Sequence, residues 1–341
     1  MRFIVLLLIA ACAHPEWKRT PHDRWYQSEP APVLHAPFER TELSETVQTL
    51  RYSAVRPLAE LVSPGAWLHR GGARPRALDV NAFGQVPDSS WFTNRVGKTR
   101  WTPAMVARGP NTIEGPAPGP LLVLGGKVEG VSPGFLVQDE AGHRFLVKLD
   151  HPADPQLSSG AELVATKLLH AAGYNVPENY AVTLKLERLV LADNATTSGR
   201  YGGTVPLTPK GLEAILSNAN PFPDGTVRAL FSRIIEGQAL GPFEFEGVDD
   251  RDPNDRIPHE HRRSLRGLRV FSAWINNTDT RAANTLDVFQ PSADPELGYV
   301  RHYLIDFGDA LGAAGTEPKY IAEGYEHLVD LERMAFGFFS L

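Results

Sequence analysis

Residues 279–284 read Asp279-Thr-Arg-Ala-Ala-Asn284, and after a hairpin pattern an apolar run ends in Leu304-Ile-Asp306-Phe-Gly308. Upstream, Phe145-Leu-Val-Lys148 places a lysine on a strand, and Glu162 follows on the next helical pattern. Before that lysine, residues 125–134 form a glycine-rich stretch between two strand patterns, with Gly130, Ser132 and Gly134 at its far end. Glycine loop, lysine strand, glutamate helix, Asp-x-x-x-x-Asn and Asp-Phe-Gly therefore occur in a fixed order. Each motif is weak alone; the order and the element expected under each make the set more specific.

In that order the set resembles the protein-kinase-like fold. The Asp279-to-Asn284 spacing is similar to the kinase catalytic loop, and Asp306-Phe-Gly308 to its metal-binding turn. The flanks Asn276-Asn-Thr-Asp279 and Asn284-Thr-Leu look more like the atypical branches: HipA-like, spore-coat-kinase-like and lipid-kinase-like proteins. No His-Arg precedes Asp279 and no Ala-Pro-Glu follows Asp306, both departures from the protein-kinase pattern. The resemblance covers about residues 120–310. It implies an α+β, two-lobed fold with an N-terminal extension and the nucleotide between the lobes.

The resemblance also implies roles. Phosphoryl transfer asks for positioning and charge neutralisation. Lys148 would hold the phosphates of ATP, and Glu162 would orient Lys148. Asn284 and Asp306 would bind Mg²⁺, a hard cation that prefers oxygen ligands. Asp279 would accept or orient the proton of the attacking hydroxyl. Gly130, Ser132 and Gly134 would let backbone N–H groups approach the phosphates. The acceptor is a hydroxyl on a protein, lipid or sugar; nothing in the sequence chooses. The alternative is a non-catalytic, pseudokinase-like binding protein on the same fold.

Each residue has a plainer rival. Lys148 can be a surface lysine on an edge strand. Glu162 completes the capping box Ser159-Gly-Ala-Glu162. Asp279 and Asn284 suit turn-stabilising side-chain bonds. Gly130-Val-Ser-Pro-Gly134 matches the nucleophile elbow of serine hydrolases, but that motif needs a helix after the serine and a strand pattern follows. His259-Glu-His261 offers two metal-ligand nitrogens without an obvious third; a polar helix start explains it. Arg262, Arg263, Arg266 and Arg269 read as a solvated basic face.

Composition sets the frame. The 341 residues are 42% hydrophobic and 22% charged, with 30 glycines and 28 prolines, which is globular composition with long loops. A net charge of −6 argues against a nucleic-acid partner. One cysteine excludes a disulfide framework. That cysteine, Cys12, ends the segment MRFIVLLLIAAC, an arginine followed by an apolar run too short to span a bilayer. The ending resembles a bacterial lipobox, in which the cysteine is lipidated. The expectation is a lipoprotein of the bacterial cell envelope, anchored to the membrane through an N-terminal lipid and facing the periplasm or exterior. That compartment is poor in ATP, which sets the localisation against the kinase chemistry.

The chain then divides into a signal segment at 1–12, a proline-rich tether at 13–45, an extension at 46–120, an N-lobe at 121–190 and a C-lobe with an insertion at 191–341. Helices are expected near 45–62, 159–172, 210–217, 262–275 and 326–339. A single strand is expected over 180–190, and 191–225 reads as loop with one short helix.

Overall fold

The computed structural model describes residues 31–39, 76–81, 83–126, 134–198, 203–217, 219, 221–315 and 317–320. Cys12, the expected helices at 45–62 and 326–339, and Gly130 and Ser132 lie outside them.

The fold is mixed α+β, dominated by a seven-stranded sheet. Its strands are β1 (Leu121–Gly126), β2 (Gly134–Gln138), β3 (Arg144–Leu149), β4 (Asn179–Leu184), β5 (Leu189–Ser198), β6 (Thr204–Pro206) and β7 (Val227–Arg233), in the order β4-β7-β3-β2-β1-β5-β6. β1 and β5 run parallel; the other neighbours are antiparallel. The hairpin expected at Asp139–Gly142 joins β2 to β3, with Gly142 at φ 84°.

Two local expectations change. The run 180–190 is two strands, because a 3-10 turn at Leu186–Arg188 breaks it and sends β5 to the far side of β1. Residues 191–225 are not mainly loop. β5 and β6 extend the sheet, and α4 (Pro209–Leu216) lays Leu212 against the same core. The sheet begun at Leu121 thus reaches Arg233, well past residue 190. Gly125 and Gly126 belong to β1 rather than to the loop. A Cβ at Gly125 would stand 2.6 Å from the Thr196 carbonyl oxygen of β5, so the first glycines serve close strand pairing.

Among the described residues, three helices precede α4, namely α1 (Arg95–Lys98), α2 (Pro103–Arg108) and α3 (Leu157–Ala172), and one follows it, α5 (Arg263–Trp274). α5 leads to a second sheet of β8 (Gln238–Gly241), β9 (Thr285–Pro291) and β10 (Gly298–Leu304) in the order β10-β9-β8. A small pair, β11 (Ala313–Ala314) and β12 (Glu317–Pro318), follows.

Two large clusters make up most of the core, beside a small third one of Leu240, Phe289 and Val300 in the second sheet. One is the sheet face made by Leu121, Val123, Phe135, Val137, Phe145, Val147 and Phe231. The other joins α3 (Ala165, Leu169) to α5 (Leu265, Leu268) through Trp91, Phe243, Leu304 and Phe307. Trp91 is a centrepiece: it stacks on His302 at 3.5 Å, with the Arg262 guanidinium 4.5 Å from its ring centre. The extension is therefore built into the second cluster.

Both long helices begin without a capping side chain of their own. Asp150 supplies the cap of α3, accepting from Gln156 N at 3.0 Å, Ser159 N at 2.8 Å and Ser159 Oγ at 2.6 Å. Asp79 caps α5 from the extension, accepting from Arg263 N, from Ser264 N at 3.1 Å and from Ser264 Oγ at 2.8 Å. The capping box at Ser159 is thus replaced. The helix starts two residues earlier, Ser159 is internal, and Glu162 pairs with Lys148 instead. Arg262 is also corrected. It is 2% exposed and pairs with Asp255 at 3.2 Å, so the basic run is not a solvated face throughout. His259 is buried, with Nε2 2.7 Å from the same Asp255 carboxylate, in a 3-10 turn at His259–His261 that runs into α5.

Candidate functional site

Strand periodicity turns Lys148 away from the first core cluster. Phe145, Val147 and Leu149 are buried on one face of β3, so Leu146 and Lys148 point to the other. α3 packs on that face. Its buried stripe, Ser159, Glu162, Ala165, Thr166 and Leu169, follows helical spacing and includes Glu162. Lys148 Nζ donates to Glu162 Oε2 at 2.8 Å and to Asp306 Oδ1 at 3.0 Å. Burial alone would lower the lysine pKa, but Glu162 and then Asp306 outweigh it and hold the ammonium above its ordinary value.

Asp306 reaches Lys148 because of two packing events. Phe307 is buried between α3 and α5. Gly308 lies so close to α3 that a Cβ there would stand 2.7 Å from Ser158 Oγ. Immediately before them the backbone of Asp306 takes φ 57°, a left-handed conformation costly for a side-chain-bearing residue. The carboxylate is not buried: the side chain is 46% exposed.

The β9–β10 hairpin sets Asn284 beside this turn. Its last pair is Thr285 with Leu304, and Ile305 N donates to Asn284 O at 3.0 Å. The Asn284 amide donates to Asp279 O and to Asp279 Oδ2, both at 2.8 Å. Arg281 Nε lies 2.9 Å from Asp279 Oδ1, an ion pair out of line for a hydrogen bond. The Asp279 loop is fixed to the end of α5, where Asn277 N donates to Ser272 O at 2.8 Å and Asn276 has φ 51°.

Asp309 is the residue the sequence reading missed, although it directly follows the Asp-Phe-Gly motif. Burial, then the Asp279 charge and more weakly Asp306, raise its carboxyl pKa above the usual carboxylate value despite opposing contributions from Gly315 and Lys319. Lys319 Nζ closes the region, donating to Asn276 O at 2.6 Å and to Asp309 O.

The structure therefore brings Lys148, Glu162 and Asp306 into contact, and sets Asn284 against both Asp279 and the strand end before Asp306. Gly134 opens β2 and pairs with Lys148 across the sheet, with no helix after it. Among the described residues, no three His, Cys, Asp or Glu side chains converge as a self-sufficient metal site, His259 and His261 included. No helix among them is long and apolar enough to cross a membrane. No protein-family model matches the chain, and no curated protein sequence matches it.

Proposed function

We propose that the chain is an atypical kinase-like phosphotransferase of two lobes, moving the γ-phosphoryl group of ATP to a hydroxyl. The observation that carries the reading is the bridging of Glu162 and Asp306 by one ammonium, with an Asp–Asn pair locked five residues apart at the adjoining strand end. Lys148, oriented by buried Glu162, would hold phosphate oxygens. Asp279 would orient the acceptor hydroxyl and take its proton. The residues fit Mg²⁺. Asn284 Oδ1 and the half-exposed Asp306 carboxylate are hard oxygen donors, and negative charge gathers at Asp279, Asp306 and Asp309. Two protein ligands suffice, because Mg²⁺ keeps waters and binds substrate phosphates. When bound it would supply charge neutralisation at the phosphates. Cys12 would carry the lipid that holds this domain at the cell envelope.

A second reading has its own support. Both Asp279 oxygens are engaged, one by Asn284 and one by Arg281, which favours a ligand-binding protein without turnover. A thermal-shift titration with ATP and Mg²⁺, followed by a turnover assay, tests both. Stabilisation that disappears in Lys148→Ala, with turnover that disappears in Asp279→Ala, supports the transferase. Stabilisation without turnover selects the binding protein. No shift at millimolar nucleotide rejects both.

A further inference from the structure

A second cleft, of about 550 Å³, opens where α1, the end of α3, β7 and β10 meet. That volume is within the range of small-molecule sites. Its charged lining is Arg95, Arg233 and Arg301 against Glu178 and Glu236, in a chain whose net charge is −6. The two glutamates are spent on one arginine: Arg233 pairs with Glu178 and with Glu236, each at 3.2 Å. Among the described residues, neither Arg95 nor Arg301 has a carboxylate within 4.0 Å.

Both guanidiniums are nonetheless held in place. Arg95 Nη1 donates to the carbonyl oxygens of His170 at 2.8 Å and Tyr174 at 3.2 Å. Arg301 Nη2 donates to Asn175 Oδ1 at 2.8 Å, while the Asn175 amide is anchored to Ser90 O at 2.9 Å and His302 O at 3.0 Å. Neutral oxygens fix the direction of each group without cancelling its charge. A guanidinium carries five N–H donors, and one nitrogen of each arginine makes these bonds. Among the described residues the other nitrogens make no hydrogen bond, and they can meet an anion with planar, two-point geometry.

The two like charges oppose one another. Burial first, then Arg301, lowers the Arg95 pKa to about 10, against a weaker opposite pull from Asp88. His170, on the same wall, is lowered to about 4 by burial and then by Arg95 and Arg301, so it stays neutral and adds no third charge.

We propose that this cleft is a binding site for a small phosphate monoester, with Arg95 and Arg301 gripping the phosphate and Tyr303 walling the organic part. It is separate from the Lys148 site and stands whether or not that site transfers phosphoryl groups.

Inorganic phosphate is the probe. The purified chain is melted in phosphate and in chloride of matched ionic strength. Phosphate at about ten times its Kd should raise Tm by about 2 °C over chloride. Arg301→Gln and Arg95→Gln should each abolish that difference, whereas Lys148→Ala should keep it. Arg301→Lys should also lose most of it, since an ammonium keeps the charge but not the fork, and it guards against a folding defect in Arg301→Gln. Equal melting in phosphate and chloride overturns the proposal. So does a phosphate response that survives in both arginine variants, or one that vanishes only with Lys148.

Discussion

Lys148 donates to Asp306 at 3.0 Å although 158 positions separate them in the chain. The contact joins β3 of the large sheet to the turn after β10 of the small one. Glu162 stands on the other side of the same ammonium at 2.8 Å and is 2% exposed. The three groups are unequal: Glu162 is buried, whereas Asp306 still reaches solvent. Each can therefore be removed with a different consequence.

Lys148→Met strips the cation from a buried carboxylate. Loss of one partner of a buried pair costs about 3–5 kcal/mol. Urea unfolding of Lys148→Met and of the Lys148→Met/Glu162→Leu double variant checks this. The double variant should recover most of the loss, and a double variant no more stable than the single one contradicts the assignment.

Asp306→Asn should behave oppositely. Lys148 keeps Glu162, and asparagine tolerates the left-handed backbone at φ 57°. Stability should stay within about 1 kcal/mol of wild type, while Mg²⁺-dependent nucleotide binding is lost. Calorimetric titration beside a melt separates the two effects, and undiminished binding would remove Asp306 from the site.

The two remote caps make a matched pair. Asp150→Ala and Asp79→Ala should each cost about 1–2 kcal/mol. Only Asp150→Ala frays the helix that carries Glu162, so only it should also weaken nucleotide binding. Equal effects of the two variants on binding would sink the claim that α3 is positioned by its cap.

Gly308→Ala drives a methyl toward Ser158 Oγ. The clash lies with the hydroxyl, because Ser158 Cβ is 4.0 Å from the added carbon. Adding Ser158→Ala should therefore restore the Tm lost by Gly308→Ala. If the double variant melts as low as the single one, the close approach is not what requires glycine.

His170 gives a pH signature. Its folded pKa of about 4 lies below the ordinary 6.5. Between those values the unfolded chain binds a proton that the folded chain refuses, so this contribution to stability is complete above about pH 6.5 and is lost as pH falls toward 4. Tm measured from pH 7 to 4 should decline less steeply in His170→Gln than in wild type; identical slopes would refute the shift.

Much of the architecture was legible locally. β3 and the β9–β10 hairpin follow from alternation, and α3 ends at Ala172, where the expected helical pattern ends. The misreadings have one cause. Ser159 and Glu162 satisfy a capping box by spacing, yet Asp150 takes the cap and Lys148 takes the glutamate. Arg262 sits in a basic run, yet Asp255 and Trp91 enclose it. In both cases a partner absent from the local pattern won, because a buried polar group must find one wherever the fold supplies it.

By itself the amino-acid order determined which chemical groups this protein carries and on which element each sits, since the periods of strand and helix are short-range properties. It set Lys148 opposite Phe145, Val147 and Leu149 on β3, and Asp306 at the end of a strand. Tertiary packing alone decided which groups meet. It brought the Asp306 carboxylate to Lys148 through Phe307 and Gly308, and left Arg95 and Arg301 of the second cleft with no carboxylate within 4.0 Å among the described residues. Those outcomes depend on contacts between segments far apart in the chain, where burial and charge are settled only when the surfaces close.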